Sequence, residues 1–176
     1  MENQEGKTIV KLVIWTILIV IGVVIIINSA QQMMLKTKEQ DLRTNMLLMQ
    51  AEAKKGLEEV CFRTVNLDST KEEDLTKINE IKNEYLKGII LTNAPTEVQE
   101  AVKNVPEIEI NENCYYLDEN TINEMGIKYI KESENGYFIV KYNFSNANVE
   151  IINTKGYNGN YTLTQINKEL DAQWDA

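Results

Sequence analysis

The side chains that most often catalyse reactions or bind metals are scarce in this 176-residue sequence. It contains no histidine, which excludes Ser-His-Asp and Cys-His nucleophile systems, His-ligated zinc and the usual proton shuttle near pH 7. No phosphate-binding loop, dinucleotide-binding glycine motif or paired Cys-x-x-Cys is present. We therefore expect no enzymatic activity, no cofactor and no bound metal.

One short stretch offers oxygen ligands. Asp118, Asn120 and Glu124 carry the hard oxygen atoms that calcium prefers. The same residues also fit the cap and the exposed side of a short helix, and that interpretation is favoured. Carboxylates are abundant elsewhere, but their spacing does not distinguish an acid–base pair from surface charge.

The two cysteines, Cys61 and Cys114, lie far apart and match no metal-binding spacing. In an oxidising compartment they would form one disulfide that ties a long helix to the following domain. Two separate thiols, buried as small apolar side chains, are the alternative. The sequence leaves both possibilities open.

An apolar run occupies residues 9–27, and Lys11 is its only charge. At about 1.5 Å per residue, a helix of this length spans roughly 28 Å, close to the thickness of a hydrocarbon core. We expect a transmembrane helix over 7–29 that is retained as an anchor. A secretory signal cleaved after Ala30 fits less well, because the chain does not start with basic residues. Lys11 either snorkels to the membrane interface or contacts a partner subunit.

The helical pattern continues beyond the apolar run. Apolar residues recur three or four positions apart, which draws one stripe along a helix: Leu42, Met46, Met49, Ala53, Leu57 and Val60. The spacing predicts that residues 30–63 form an amphipathic extension of the membrane helix.

Residues 64–176 carry ten basic and twenty acidic side chains. A domain with this excess of negative charge repels phosphate backbones, so nucleic-acid binding is not expected. Ser69 or Thr70 is expected to cap a helix whose apolar side runs from Leu75 to Ile89. Shorter helices are predicted after Pro95 and after Asp118.

Several segments after Pro106 are expected to be strands. Cys114-Tyr115-Tyr116-Leu117 looks extended, and β-like runs follow at 127–131, 137–143 and 149–154. Asn135-Gly136 is a strong hairpin signal between the first two of these runs. The predicted fold is therefore α+β: a long N-terminal helix, half transmembrane and half amphipathic, packed on a small antiparallel meander with extra short helices.

The N-terminal sequence Gly6-Lys7-Thr8-Ile9-Val10, followed by the apolar run, resembles the start of a type IV pilin or pseudopilin. The resemblance implies that a prepilin peptidase cuts between Gly6 and Lys7. Two positions depart from the family pattern. Lys7 stands where Phe or Met is usual, and Lys11 stands where the family has a glutamate. The chain is therefore identified as an atypical member.

The resemblance implies a leader over 1–6, a transmembrane helix over 7–29, its extension over 30–63 and an acidic head over 64–176. It implies a structural subunit of a type IV pilus or type II secretion-like assembly. Its partners would be inner-membrane lipid, other pilin-like subunits and the peptidase. The head would lie outside the cytoplasm, although charge counting alone leaves the orientation open. The alternative is an uncleaved single-pass protein whose head is an extracytoplasmic binding domain.

Overall fold

The computed structural model describes residues 37–106, 108, 110–127 and 136–174. The chain divides into two compact units, Met1–Asp41 and Leu42–Ala176. In the first unit, the described residues 37–41 are helical. Among the residues that the structure describes, no helix is both long and apolar enough to cross a membrane.

Several sequence-based expectations fall outside the described residues. These are the leader over 1–6, the transmembrane helix over 7–29, Gly6, Lys7 and Lys11, and most of the strand expected over 127–131. They stay predictions.

The second unit is α+β, as predicted. Its described part contains five α-helices and a five-stranded antiparallel sheet. The helices are α1 (residues 42–64), α2 (Glu72–Tyr85), α3 (Thr96–Lys103), α4 (Glu119–Glu124) and α5 (Leu163–Trp174). The strands are β1 (Ile89–Ile90), β2 (Cys114–Leu117), β3 (Phe138–Asn143), β4 (Asn148–Tyr157) and β5 (Asn160–Thr162). Each strand pairs with the next along the chain, so the sheet is a meander.

Alternation along the strands gives the sheet two apolar faces. On β3, Phe138, Val140 and Tyr142 belong to one buried cluster, whereas Ile139 belongs to another. We call these the first and the second face. The β3–β4 pairing is regular from Phe138 opposite Asn153 to Asn143 opposite Asn148, which keeps this alternation in register.

A different set of helices covers each face. Residues from α1, α4 and α5 share the first-face cluster: Met46, Met49, Ala53, Leu57, Val60, Ile122, Leu163, Ile166 and Leu170. On the second face, Val98 and Val102 of α3 lie in one cluster with Cys114, Tyr116, Ile139 and Ile152. The sheet is therefore buried on both sides in its central part.

The predicted stripe of helix α1 is confirmed. Its residues are buried in the first-face cluster, apart from Leu42, which is partly buried against that cluster. We call this side of the helix, Leu42, Met46, Met49, Ala53, Leu57 and Val60, its inner face. Full burial of a Leu or Met side chain stabilises a fold by about 1.5–3 kcal/mol.

Two details of the predicted second helix are wrong. Neither Ser69 nor Thr70 caps it, because α2 begins at Glu72 and its N-cap, Lys71, makes no side-chain cap bond. The Thr70 backbone N–H and hydroxyl instead donate to Asp68, at 3.0 and 2.7 Å. Ile89 lies in β1 rather than in the helix. Gly88, at φ +98°, turns the chain between the two elements.

Helix α1 and the end of α2 meet at Gly56. A Cβ atom at this position would lie 2.2 Å from the carbonyl oxygen of Tyr85 and 3.3 Å from its carbonyl carbon. These are backbone atoms, so no side-chain rotation relieves the clash. The absence of a side chain at Gly56 is therefore what lets the two segments approach.

We expect Gly56→Ala to lower the free energy of unfolding by about 1–3 kcal/mol, as overpacking of a tight contact does. In an exposed helix interior, a change from Gly to Ala would instead raise the free energy of unfolding by up to about 1 kcal/mol. The sign of the measured change therefore distinguishes the two situations. Urea denaturation of the full chain in detergent, followed by circular dichroism, measures it. Lys55→Ala, at the neighbouring exposed helical position, is the control. Greater stability of Gly56→Ala would contradict the contact.

Candidate functional site

The side of α1 opposite its inner face is open to solvent. This outer face consists of Thr44, Leu47, Leu48, Ala51, Lys54, Lys55, Glu58 and Glu59, all of them exposed. Leu47 and Leu48 are 41% and 49% exposed, so two adjacent leucines lie on the solvent side of a helix that buries its other side. The outer face is apolar toward its N-terminal end and carries both charge signs toward its C-terminal end.

Polar contacts fix the rotation of α1 on the head. The Gln50 amide donates to the backbone carbonyl of Val149 on β4, at 2.7 Å. Arg43 Nε donates to Asn167 Oδ1 on α5 at 2.6 Å, and its guanidinium lies 3.5 Å from Asp171. These contacts surround the apolar inner face, so the outer face is held pointing away from the sheet.

The C-terminal end of α1 is attached to α2. The Arg63 guanidinium lies 4.6 Å from the centre of the Tyr85 ring, in a cation–π contact, and it also pairs with Glu59 at 3.2 Å. Together with the close approach at Gly56, this contact joins the C-terminal ends of the two helices.

A tyrosine on the sheet holds the segment that follows α2. The Tyr142 hydroxyl accepts from the Lys87 backbone N–H at 2.9 Å and donates to the Lys87 carbonyl at 3.2 Å. The Tyr142 ring is buried and packs edge-on against Tyr115, with ring centres 5.2 Å apart. Both backbone groups of Lys87 are thereby satisfied by one side chain from β3.

Of the oxygen-bearing residues after β2, Asp118 serves as a helix cap. Asp118 Oδ1 accepts from the Thr121 N–H at 3.0 Å and from the Thr121 hydroxyl at 2.5 Å, and this caps α4. Asn120 and Glu124 are exposed. In the described parts of the chain, no group of three or more His, Cys, Asp or Glu side chains is arranged to hold a metal ion.

The two cysteines lie on opposite faces of the sheet. Cys61 is half-buried on α1 beside the first-face cluster, whereas Cys114 is buried in the second-face cluster. The Cys114 thiol lies 3.6 Å from Asn111 Oδ1. No disulfide joins the two cysteines. A bond between them would require a sulfur to cross the sheet, since the two Cβ atoms of a disulfide lie only about 4 Å apart.

The inner face of α1 could be predicted from the spacing of its apolar residues, whereas that spacing predicts neither the exposed leucines nor the Tyr142 contact. Residues 46–49 are four consecutive apolar residues, which cannot all lie on one face of a helix. This run therefore indicates that Leu47 and Leu48 lie outside the inner face. No local signal pairs Tyr142 with Lys87, because 55 positions separate them.

Comparison of the chain with protein-family models, curated proteins and solved structures gives no match.

We expect Tyr142→Phe to destabilise the protein by about 1–3 kcal/mol, because it leaves the partly buried N–H of Lys87 without its acceptor. Urea denaturation of the full chain, followed by circular dichroism, is the measurement. Tyr161→Phe, at a half-buried tyrosine of β5, is the matched control. Its expected change is about 0.5 kcal/mol or less. Equal effects of the two substitutions would argue against a special role for the Tyr142 hydroxyl.

Stability should also fall in alkaline solution. Burial raises the pKa of Tyr142 and, with a smaller contribution from the charge of Glu112, that of Tyr115. In the unfolded chain a tyrosine has a pKa of about 10. A tyrosine whose pKa is higher in the folded state contributes its full stabilisation below about pH 10, and this contribution is lost as the pH rises above that value. We therefore expect the free energy of unfolding to decline above about pH 10, and to decline less steeply in Tyr142→Phe. Parallel pH profiles of the two proteins, measured by urea denaturation, would contradict this assignment.

Proposed function

We propose that this chain is a membrane-anchored, pilin-like structural subunit of a type IV pilus or type II secretion-like assembly. One observation carries the proposal: an apolar run behind Gly6 is combined, on the same chain, with a helix whose stripe is buried against an antiparallel meander. The anchor would sit in the cytoplasmic membrane, with the head on its outer side. The role is mechanical and includes no catalytic step.

The two sides of α1 suggest how such a subunit works. The inner face is buried by the head's own sheet and holds the head on the helix. The outer face carries Leu47, Leu48 and Ala51, which the helix of a neighbouring subunit would cover as the filament assembles. Its mixed charges, Lys54 and Lys55 beside Glu58 and Glu59, allow it to pack against another helix of mixed charge without net repulsion.

Lys11 decides how the anchor could pack. In the family that the N-terminus resembles, a glutamate at this position is thought to pair with a neighbour's N-terminal amine. Lys11 would instead repel that amine, so assembly through this pair is not part of the proposal. We propose that Lys11 meets a carboxylate of a different subunit, which suits a minor component of a filament.

The second candidate is a single-pass anchored binding domain that keeps its leader and does not polymerise. Lys7 and Lys11 favour it, because both depart from the pattern that cleavage and packing usually require. In that case Lys11 only snorkels to the interface.

The N-terminal residue of the protein purified from its native membrane distinguishes the two. The pilin-like proposal expects a chain that begins at Lys7, detected by intact mass and terminal peptide sequencing. A Gly6→Val variant is the control, because a branched residue at the cut should leave the chain starting at Met1. Wild-type protein that begins at Met1 would overturn the proposal and support the anchored binding domain.

A further inference from the structure

Three large apolar side chains are exposed around the connection between α1 and α2. Phe62 is 78% exposed, Val65 73% and Leu75 44%. They lie in the last turns of α1, in the connecting turn and in the first turn of α2. We call them the junction patch. Large apolar side chains that are exposed on three consecutive segments of the chain are candidates for an interaction site.

The surrounding structure does not cover this patch. Helix α2 has no buried residue, and only Ile81 and Tyr85, toward its C-terminal end, pack against the first-face cluster. Ile78, one turn after Leu75, is half-exposed. The N-terminal half of α2 therefore presents its apolar side without burying it against the head.

The charges around the patch are predominantly negative. Residues 58–85 contain eight acidic and four basic side chains. Three of the four basic groups make contacts within the protein: Arg63 with Glu59, Lys77 with Asp74 at 3.8 Å, and Lys82 over the Phe144 ring at 4.5 Å. The fourth, Lys71, is exposed next to Glu72. Glu72 and Glu73, beside Leu75, are exposed.

We propose that the junction patch is a docking site for a basic, apolar segment of a different protein. The apolar side chains supply the area to be buried. Glu72 and Glu73, which we call the acidic border, attract a partner rich in Lys or Arg. A second copy of this chain would bring two acidic borders together, and an anionic lipid surface would be repelled in the same way. The inference does not depend on the proposed function, because the patch is the same whether or not the leader is cleaved.

Site-specific photo-crosslinking in the native cells tests this assignment. The full chain carries p-benzoylphenylalanine in place of Phe62, and cross-linked peptides are identified by mass spectrometry. A matched probe replaces the exposed Asn146 in the β3–β4 turn. We expect the Phe62 probe to form an adduct with a segment of another protein that has net positive charge and apolar residues, and the Asn146 probe not to form it.

Charge reversal supplies the second arm. Glu72→Lys with Glu73→Lys should reduce the adduct at least ten-fold, whereas Glu97→Lys with Glu124→Lys, the same charge change at exposed sites elsewhere, should leave it unchanged. An adduct only with a second copy, with lipid or with an acidic segment would overturn the proposal. So would the absence of an adduct, or an equal reduction in both double variants. None of these outcomes changes the N-terminal residue, so the two proposals fail separately.

Discussion

Burial of the inner face of α1 against the first face of the sheet is the interaction on which the rest of the structure depends. Met46, Met49, Ala53 and Leu57 are fully removed from water in one cluster with side chains of β2, β3, β4 and α5. At about 1.5–3 kcal/mol for a fully buried large apolar side chain, this face alone contributes an energy comparable with the whole stability of a small domain. The hydrogen bonds of Arg43 and Gln50 fix the rotation of α1 about its own axis relative to the sheet.

Burial of the inner face also determines which residues of α1 remain exposed to solvent. Once the inner face is buried, the outer face is necessarily turned to solvent, and Leu47 and Leu48 cannot reach the core. The same holds at the junction patch, where Gly56 and Arg63 attach the C-terminal end of α2 and leave its first turns uncovered. The exposed apolar side chains thus follow from how the buried ones are arranged.

The elements that could be predicted from the sequence are those with a local, periodic signal. The stripe of α1 repeats every three or four residues, and β3 and β4 have β-branched runs on either side of a turn. Strand β1 has two residues, and it exists because Ile89 and Ile90 pair with Tyr116 and Tyr115. A pairing of that kind leaves no mark in the local sequence.

The candidate site was predicted only in part, for the same reason. From the sequence alone, Gly56 only lowers the helix propensity of its segment. Its role in packing becomes evident from the structure, where the backbone of Tyr85 lies against it. Ser69 and Thr70 offered a cap, but Asp68 competes for Thr70 and the helix starts later. The positions of Cys61 and Cys114 on opposite faces depend on the sheet that separates them, and nothing in their spacing indicates this.

The chain order of the contacts around α1 has a consequence for biosynthesis. Gln50 bonds to a residue 99 positions later, and Arg43 to one 124 positions later. A ribosome makes the chain from the N-terminus, so β4 and α5 emerge long after the helix that they must cover. Until then the methionine-rich stripe has no native partner. The nascent protein must therefore avoid aggregation through this exposed apolar stripe while the rest of the chain is being made.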